Sequence, residues 1–242
     1  MPLAHYGELP WPELEEFARD CPRVVLPLGA VEPYGPHLPL CTDGLVAEWV
    51  ATAVAKRTGG VVAPLLPVGN SSLFLDFPGT LSVSDQTLGE LVRGVGRGFL
   101  SAGFSELLVI NGHAGNSLVI ASYLNEVRKE FRMLIQVDVW RLLEALGQDL
   151  FAGVAGAFGH AGPCATSLVL AIAPKLVRTP KLANMDIVTP RWLPGVSSPI
   201  PFRTLYPQGY AGDVSQASSE KGALLLDRLV NYVVSLLQVE ES

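Results

Sequence analysis

LPLGAVEPYGPHLPLCTD, residues Leu26 to Asp43, sets the reading of the whole chain. An apolar run from Val24 to Leu28 ends at Gly29 and releases a loop carrying Glu32, Tyr34, His37 and Asp43. Pro33, Gly35, Pro36 and Pro39 crowd that loop, and prolines fix the backbone and cut its entropy. Open α/β sheets place their chemistry in such loops, at the carboxyl ends of strands. Two carboxylates and a histidine there suit a hard or borderline metal ion. They suit equally a surface loop whose acids are simply solvated.

Working outward, Arg23 to Gly29 reads as a buried strand of a parallel sheet, a continuous apolar run without alternation. Upstream, Trp11 to Ala18 predicts a short helix opened by Pro12. Downstream, Thr42 is a candidate cap for a helix to about Lys56, with Val46, Trp49, Val50 and Val54 at helical spacing. Val61 to Leu66 reads as a second strand. Gly69 to Ser84 reads as a loop, and Ser84 or Asp85 then caps a helix to Ala102. Gly94, Gly96 and Gly98 inside it each cost about 1 kcal/mol against alanine, which close packing on a neighbour would explain. Glu106 to Ile110 is a third strand running into NGHAGN. A helix over Ser117–Phe131, a strand over Met133–Val139 and a helix over Arg141–Leu150 follow. His160 sits in the Gly/Ala-rich loop from Phe151 to Gly162, before a helix from Thr166 to Ala173. Val177 to Gly212 is proline-rich and aperiodic, the kind of excursion that covers a site or meets a neighbouring subunit. Ser219 to Leu237 closes the chain as an amphipathic helix. Alternating strands and helices predict a three-layer α/β/α fold with a mostly parallel central sheet. No repeat or linker interrupts it, so one domain over residues 1–242 is expected.

Composition narrows the function. The chain has 242 residues, 49% of them apolar and 17% charged, which is a globular balance. A formal net charge of -6 supplies no basic excess to displace phosphate counterions, so no nucleic-acid partner is expected. No apolar run approaches the roughly 20 residues of a membrane span, and the acid- and proline-bearing N-terminus does not resemble a signal peptide. Cys21, Cys41 and Cys164 are scattered, form no CxxC, and read as free thiols in a reducing cytoplasm.

Of the four histidines, His37, His113 and His160 lie in loops expected at one sheet edge, whereas His5 is terminal. His113 follows the third strand as Glu32 follows the first. If those strands are neighbours, Glu32, Asp43 and His113 form a set of two carboxylates and one imidazole, suited to catalytic Zn²⁺ or Mn²⁺. Glycine-flanked loop histidines are also common without any ligand.

Five motifs in order carry a resemblance over nearly the whole length. They are GAVEPYGPHLPLCTD (29–43), FPGTLS (77–82), NGHAGN (111–116), HAGPCATS (160–167) and GYAGDVSQASSEKG (209–222). The chain resembles the creatininase family. That resemblance implies an α/β/α hydrolase of C–N bonds, often in cyclic amides, acting on a small-molecule amide, with two metal ions bridged by an aspartate and commonly six subunits. It maps Glu32, Asp43 and His113 onto one metal's ligands, with Asp43 as the bridge. Several family positions differ. Tyr34 replaces a histidine, Pro163 and Ala165 replace glutamates, Gly115 stands where some members have glutamate, and Phe74 replaces a histidine. The second metal thus keeps only Asp43, and one carboxylate does not hold a divalent ion where three or four ligands are usual.

Two functions remain open. One is a mononuclear amidohydrolase in which His160 acts as general acid or base, its ordinary pKa lying near working pH. His160 also suits a purely structural backbone hydrogen bond. The other is a catalytically inactive family member serving as a binding or assembly subunit, with Tyr34 and Phe74 filling the emptied space. A homo-oligomer is expected because Trp192, Phe202, Tyr206 and Tyr210 supply aromatic anchors, and the resemblance implies six copies as the first choice.

Overall fold

A computed structural model describes residues 3–182, 186–188 and 200–240. The strands are β1 (Ala4–His5), β2 (Arg23–Leu28), β3 (Val61–Val62), β4 (Glu106–Asn111) and β5 (Met133–Asp138). All pair in parallel, in the order β1-β3-β2-β4-β5. Every residue of β2 and β4 is buried, as continuous apolar runs require when helices cover both faces. The buried charges at their start, Arg23 and Glu106, answer each other across the strand pair at 2.7 Å.

One face of the sheet carries α2 (Thr42–Thr58), α5 (Val139–Gly147), α6 (Pro163–Ile172) and α9 (Ser219–Glu240), which share a core with Val25, Leu108 and Val137. The other face carries α1 (Trp11–Asp20), α3 (Asp85–Ser101) and α4 (Ser117–Val127), packed on Val24, Leu26 and Val109. Alternate strand residues therefore feed opposite cores, and the expected three-layer α/β/α arrangement is present. Two single turns, α7 (Thr179–Leu182) and α8 (Phe202–Leu205), belong to the proline-rich excursion. Trp192 lies outside the described residues.

Several local expectations need correction. The edge strand β1 is too short to leave a sequence period, and β3 stops at Val62, with only Leu66 rejoining the sheet through a bridge to Leu28. Thr42 does not cap α2; it is the first helical residue, and its hydroxyl donates to the Pro39 carbonyl at 2.7 Å. Ser84 does cap α3, accepting from the Thr87 amide. α6 begins at Pro163, so Cys164 and Ala165 are helical. Gly94 and Gly98 pack against nothing, and a Cβ on Gly96 would meet neighbours at an ordinary 3.9 Å. In α3 the tight glycine is Gly89, where a Cβ would lie 2.3 Å from the Tyr123 ring of α4, and a Cβ on Gly222 in α9 would lie 1.9 Å from the Ser167 carbonyl oxygen of α6.

Candidate metal centre

β2 and β4 run side by side, with Leu28 opposite Asn111 at their carboxyl ends. From β2 the chain moves to β3 on one side, and from β4 it moves to β5 on the other. Connections leaving in opposite directions open a crevice there, the place where α/β sheets bind ligands. The two loops meet backbone to backbone. A Cβ on Gly112 would fall 2.3 Å from the Asp43 carbonyl oxygen. Asn116 ties the loops together, its Nδ2 donating to the Gly29 carbonyl at 3.1 Å and its Oδ1 accepting from the Asn70 amide at 3.0 Å. Asn111 clamps both sides of the His113 backbone, accepting from its N–H at 3.2 Å and donating to its carbonyl at 2.8 Å. The asparagines of NGHAGN are therefore scaffold for the histidine between them.

Glu32, Asp43 and His113 each offer one ligand atom, and these atoms all lie within 4.8 Å of one another. His113 Nδ1 stands 3.0 Å from Asp43 Oδ2 and 3.3 Å from Glu32 Oε2. All three side chains are buried, at 1% exposure for Glu32, 0% for Asp43 and 5% for His113. His113 Nε2 lies 2.8 Å from the Asn70 carbonyl, which accepts its proton and turns Nδ1 towards the carboxylates. That outer hydrogen bond is how proteins orient an imidazole ligand. Gly115 leaves room for it, since a Cβ there would sit 2.5 Å from His113 Nε2.

The electrostatics follow from crowding. Burial lowers the His113 pKa, but hydrogen bonds and charge from Asp43 and Glu32 outweigh it and push it up to about 10. Burial and then the charge of Glu32 push Asp43 up to about 6. Burial also raises Glu32, yet His113, His160 and the Ser71 hydroxyl, 2.7 Å from Oε2, together hold it below its ordinary value. Asp43 Oδ1 accepts from the Tyr34 hydroxyl and from Trp140 Nε1, the latter at 3.0 Å. Among the described residues, buried Asp43 Oδ2 meets no donor other than His113 Nδ1 at 3.0 Å. A carboxylate oxygen facing an imidazole nitrogen, with a second carboxylate alongside, fits one divalent cation, which would displace the His113 proton.

His160 joins the cluster. Its Nε2 is 2.6 Å from the Pro33 carbonyl, so the backbone bond expected of it exists, reaching across to the first loop. Its Nδ1 faces Glu32 Oε1 at 3.9 Å. Burial lowers its pKa and favours the neutral ring. Phe74 stacks on that ring with centroids 4.6 Å apart, and Tyr34 lies at the same distance. Burial, Asp43 and Glu32 hold the Tyr34 phenol well above its ordinary pKa, so it stays a donor. Cys164, pushed by burial up to about 12, offers no thiolate. His37 is not part of the cluster; it is buried behind it, with Nε2 2.9 Å from the Thr166 hydroxyl. Trp140, Ser71 and Asn70 were not singled out from sequence. Trp140 follows β5 at the same sheet edge, a positional signal, whereas Asn70 and Ser71 sit in a Gly/Ser-rich loop that offered none.

Glu32, Tyr34, Asn70, Phe74, His113, Trp140 and His160 border a cavity of about 370 Å³. Comparison with known proteins agrees with the geometry. A creatinine amidohydrolase from Pseudomonas putida is 32% identical over 97% of this chain and 96% of its own length. A mycofactocin precursor peptide peptidase from Mycobacterium ulcerans is 30% identical over 95% of this chain and 90% of its own. A solved manganese form of creatininase superposes with a TM-score of 0.85 at 30% identity, covering 98% of both chains. The family pattern described as creatinine amidohydrolase matches residues 7–237, and with the sheet, the crevice and its three donors in place, the chain belongs to the creatininase family.

Proposed function

We propose that the chain is a metal-dependent amidohydrolase that cleaves a C–N bond with one divalent ion, Mn²⁺ or Zn²⁺, held by Glu32, Asp43 and His113. The observation that carries this reading is the convergence of three buried ligand atoms within 4.8 Å, among them Asp43 Oδ2, which faces His113 Nδ1. When bound, the ion would polarise an amide carbonyl or acidify a water.

The chain's own residues do the rest. His113 is oriented by Asn70 and clamped by Asn111. The Tyr34 hydroxyl and Trp140 indole fix the Asp43 carboxylate through Oδ1. With its Nε2 proton given to Pro33, neutral His160 keeps a lone pair on Nδ1, facing Glu32 across a gap too long for a direct hydrogen bond. There His160 is suited to take a proton from an attacking water and return it to the leaving nitrogen. Among the described residues, a second ion has no comparable set. Asp43 Oδ1 is already committed, and Phe74, Gly115 and Ala165 offer no donor atom. The test is hydrolysis of creatinine and of simple acyl amides by manganese- or zinc-loaded protein, which His160→Gln should slow at least about a hundredfold.

The ring of Phe74 over His160 favours a second reading, a chain that binds an amide without cleaving it. Metal uptake without turnover on any of these amides would select it.

A further inference from the structure

The two carboxylates of the metal centre are anchored differently. Asp43 Oδ1 accepts from both the Tyr34 hydroxyl and Trp140 Nε1, which fixes the carboxylate plane and leaves Oδ2 facing His113. Among the described residues, the Glu32 carboxylate has one anchor apart from the histidines, the Ser71 hydroxyl, which donates to Oε2 at 2.7 Å. The last torsion of a glutamate is broad and weakly restrained, so a single donor decides how its two oxygens are presented. Ser71 is itself pinned by a closed circuit of hydrogen bonds. The Leu81 amide donates to the Val31 carbonyl at 2.9 Å, next to Glu32. The hydroxyl of Ser82, one residue on, accepts from the Ser71 amide at 3.0 Å, and the Ser71 hydroxyl returns to Glu32. Both Ser71 and Glu32 are buried, where a missing donor is not readily replaced. The result is a carboxylate whose oxygens are turned to different groups. Oε2 lies 3.3 Å from His113 Nδ1, and Oε1 lies 3.9 Å from His160 Nδ1.

We infer that Ser71 is a positioning residue that makes Glu32 a one-oxygen ligand and so biases the site towards Zn²⁺ over Mn²⁺. The inference rests on the reading that Glu32, Asp43 and His113 hold the ion. Two single oxygens and one nitrogen suit the four-coordinate habit of Zn²⁺, which leaves a position for water or substrate. Mn²⁺ favours a larger set of oxygens, so it gains from a carboxylate free to offer both of its own. Removing the Ser71 hydroxyl frees the Glu32 carboxylate to turn. Zn²⁺ then loses an oriented ligand, whereas Mn²⁺ recovers part of that loss through the second oxygen.

The experiment is a competition titration of the chelator-stripped full chain with Zn²⁺ and, separately, with Mn²⁺. It compares the parent with Ser71→Ala, Ser71→Thr and Ser71→Val. Ser71→Ala should weaken Zn²⁺ binding at least about tenfold, the usual effect of losing a group that orients a ligand. Mn²⁺ binding should weaken less than about threefold, so the ratio of the two affinities falls at least about threefold. Threonine and valine have the same shape, and only threonine keeps the hydroxyl, so crowding at this buried position disturbs both alike. Ser71→Thr should keep the parent's ratio, and Ser71→Val should match the ratio of Ser71→Ala. Equal losses for the two ions would make Ser71 a support of the fold alone and overturn the inference. Parent-like Zn²⁺ affinity in Ser71→Ala, or equal ratios in the threonine and valine variants, would overturn it as well. A parent chain that takes up neither ion removes the metal reading and this inference together, whereas uptake with an unchanged ratio in Ser71→Ala removes this inference only.

Discussion

Tyr34 shows how one side chain changes a site. Its hydroxyl donates into Asp43 Oδ1, the oxygen a bridging carboxylate would offer to a second ion. Tyr34→Phe leaves that buried oxygen with only the Trp140 donor. We expect a stability loss of about 1–3 kcal/mol by urea unfolding, the usual cost of stranding a buried acceptor. His37 makes a pH-dependent prediction. Burial lowers its pKa from 6.5 to about 4, so the fold prefers the neutral ring. A depressed folded pKa means its contribution is complete above about pH 6.5 and is lost as pH falls towards about 4. The shift corresponds to about 3 kcal/mol over that window, and His37→Gln, which cannot titrate, should lose correspondingly less stability between about pH 7 and pH 4.5. The sequence places Glu32 and His113 together because loops directly after adjacent parallel strands converge, and Asp43 completes the set where the first of those loops enters α2. It could not reveal the Tyr34–Asp43 bond, or that Asn70 and Ser71 hold the ligands, since those depend on how an aperiodic loop folds over the site.

At the level of elements, glycine separates propensity from packing. Gly94 and Gly98 lie in the interior of α3 with nothing near the position of a Cβ, so alanine there should stabilise by up to about 1 kcal/mol each. Gly222 is the opposite case, where α9 lies directly on the α6 backbone. Gly222→Ala must push two helices apart, and thermal unfolding should report a loss of about 3 kcal/mol. The sequence pattern recovered β2, β4 and β5 as apolar runs of strand length and the long helices by their period, but it credited the packing role in α3 to Gly94, Gly96 and Gly98 and not to Gly89. Helical spacing shows that a glycine sits in a helix; only the crossing partner shows whether it has to. The two-residue strands β1 and β3 were missed or overrun for a related reason, being shorter than one period of any pattern.

For the whole molecule, the switch between β2 and β4 makes the fold and the site one argument: the strand order that closes both cores also opens the crevice. No described helix is long and apolar enough to cross a membrane. Leu73, Leu75 and Leu81 are exposed by 53–60% on the segment beside the cavity, and the Phe202 and Tyr206 rings meet at a tilt with centroids 4.8 Å apart close by. Such apolar and aromatic surface favours self-association. We expect a homo-oligomer, with six copies the first choice, and light scattering at micromolar concentration checks it against a monomer. The central claim is one divalent ion per chain on Glu32, Asp43 and His113. It is tested most directly by calorimetric titration of chelator-stripped protein with Mn²⁺ or Zn²⁺, alongside His113→Ala and Tyr34→Phe. The account predicts a single equivalent for the parent, accompanied by proton release from His113, no tight site in His113→Ala, and still one equivalent in Tyr34→Phe. Two equivalents in the parent chain, or undiminished tight binding in His113→Ala, would contradict it.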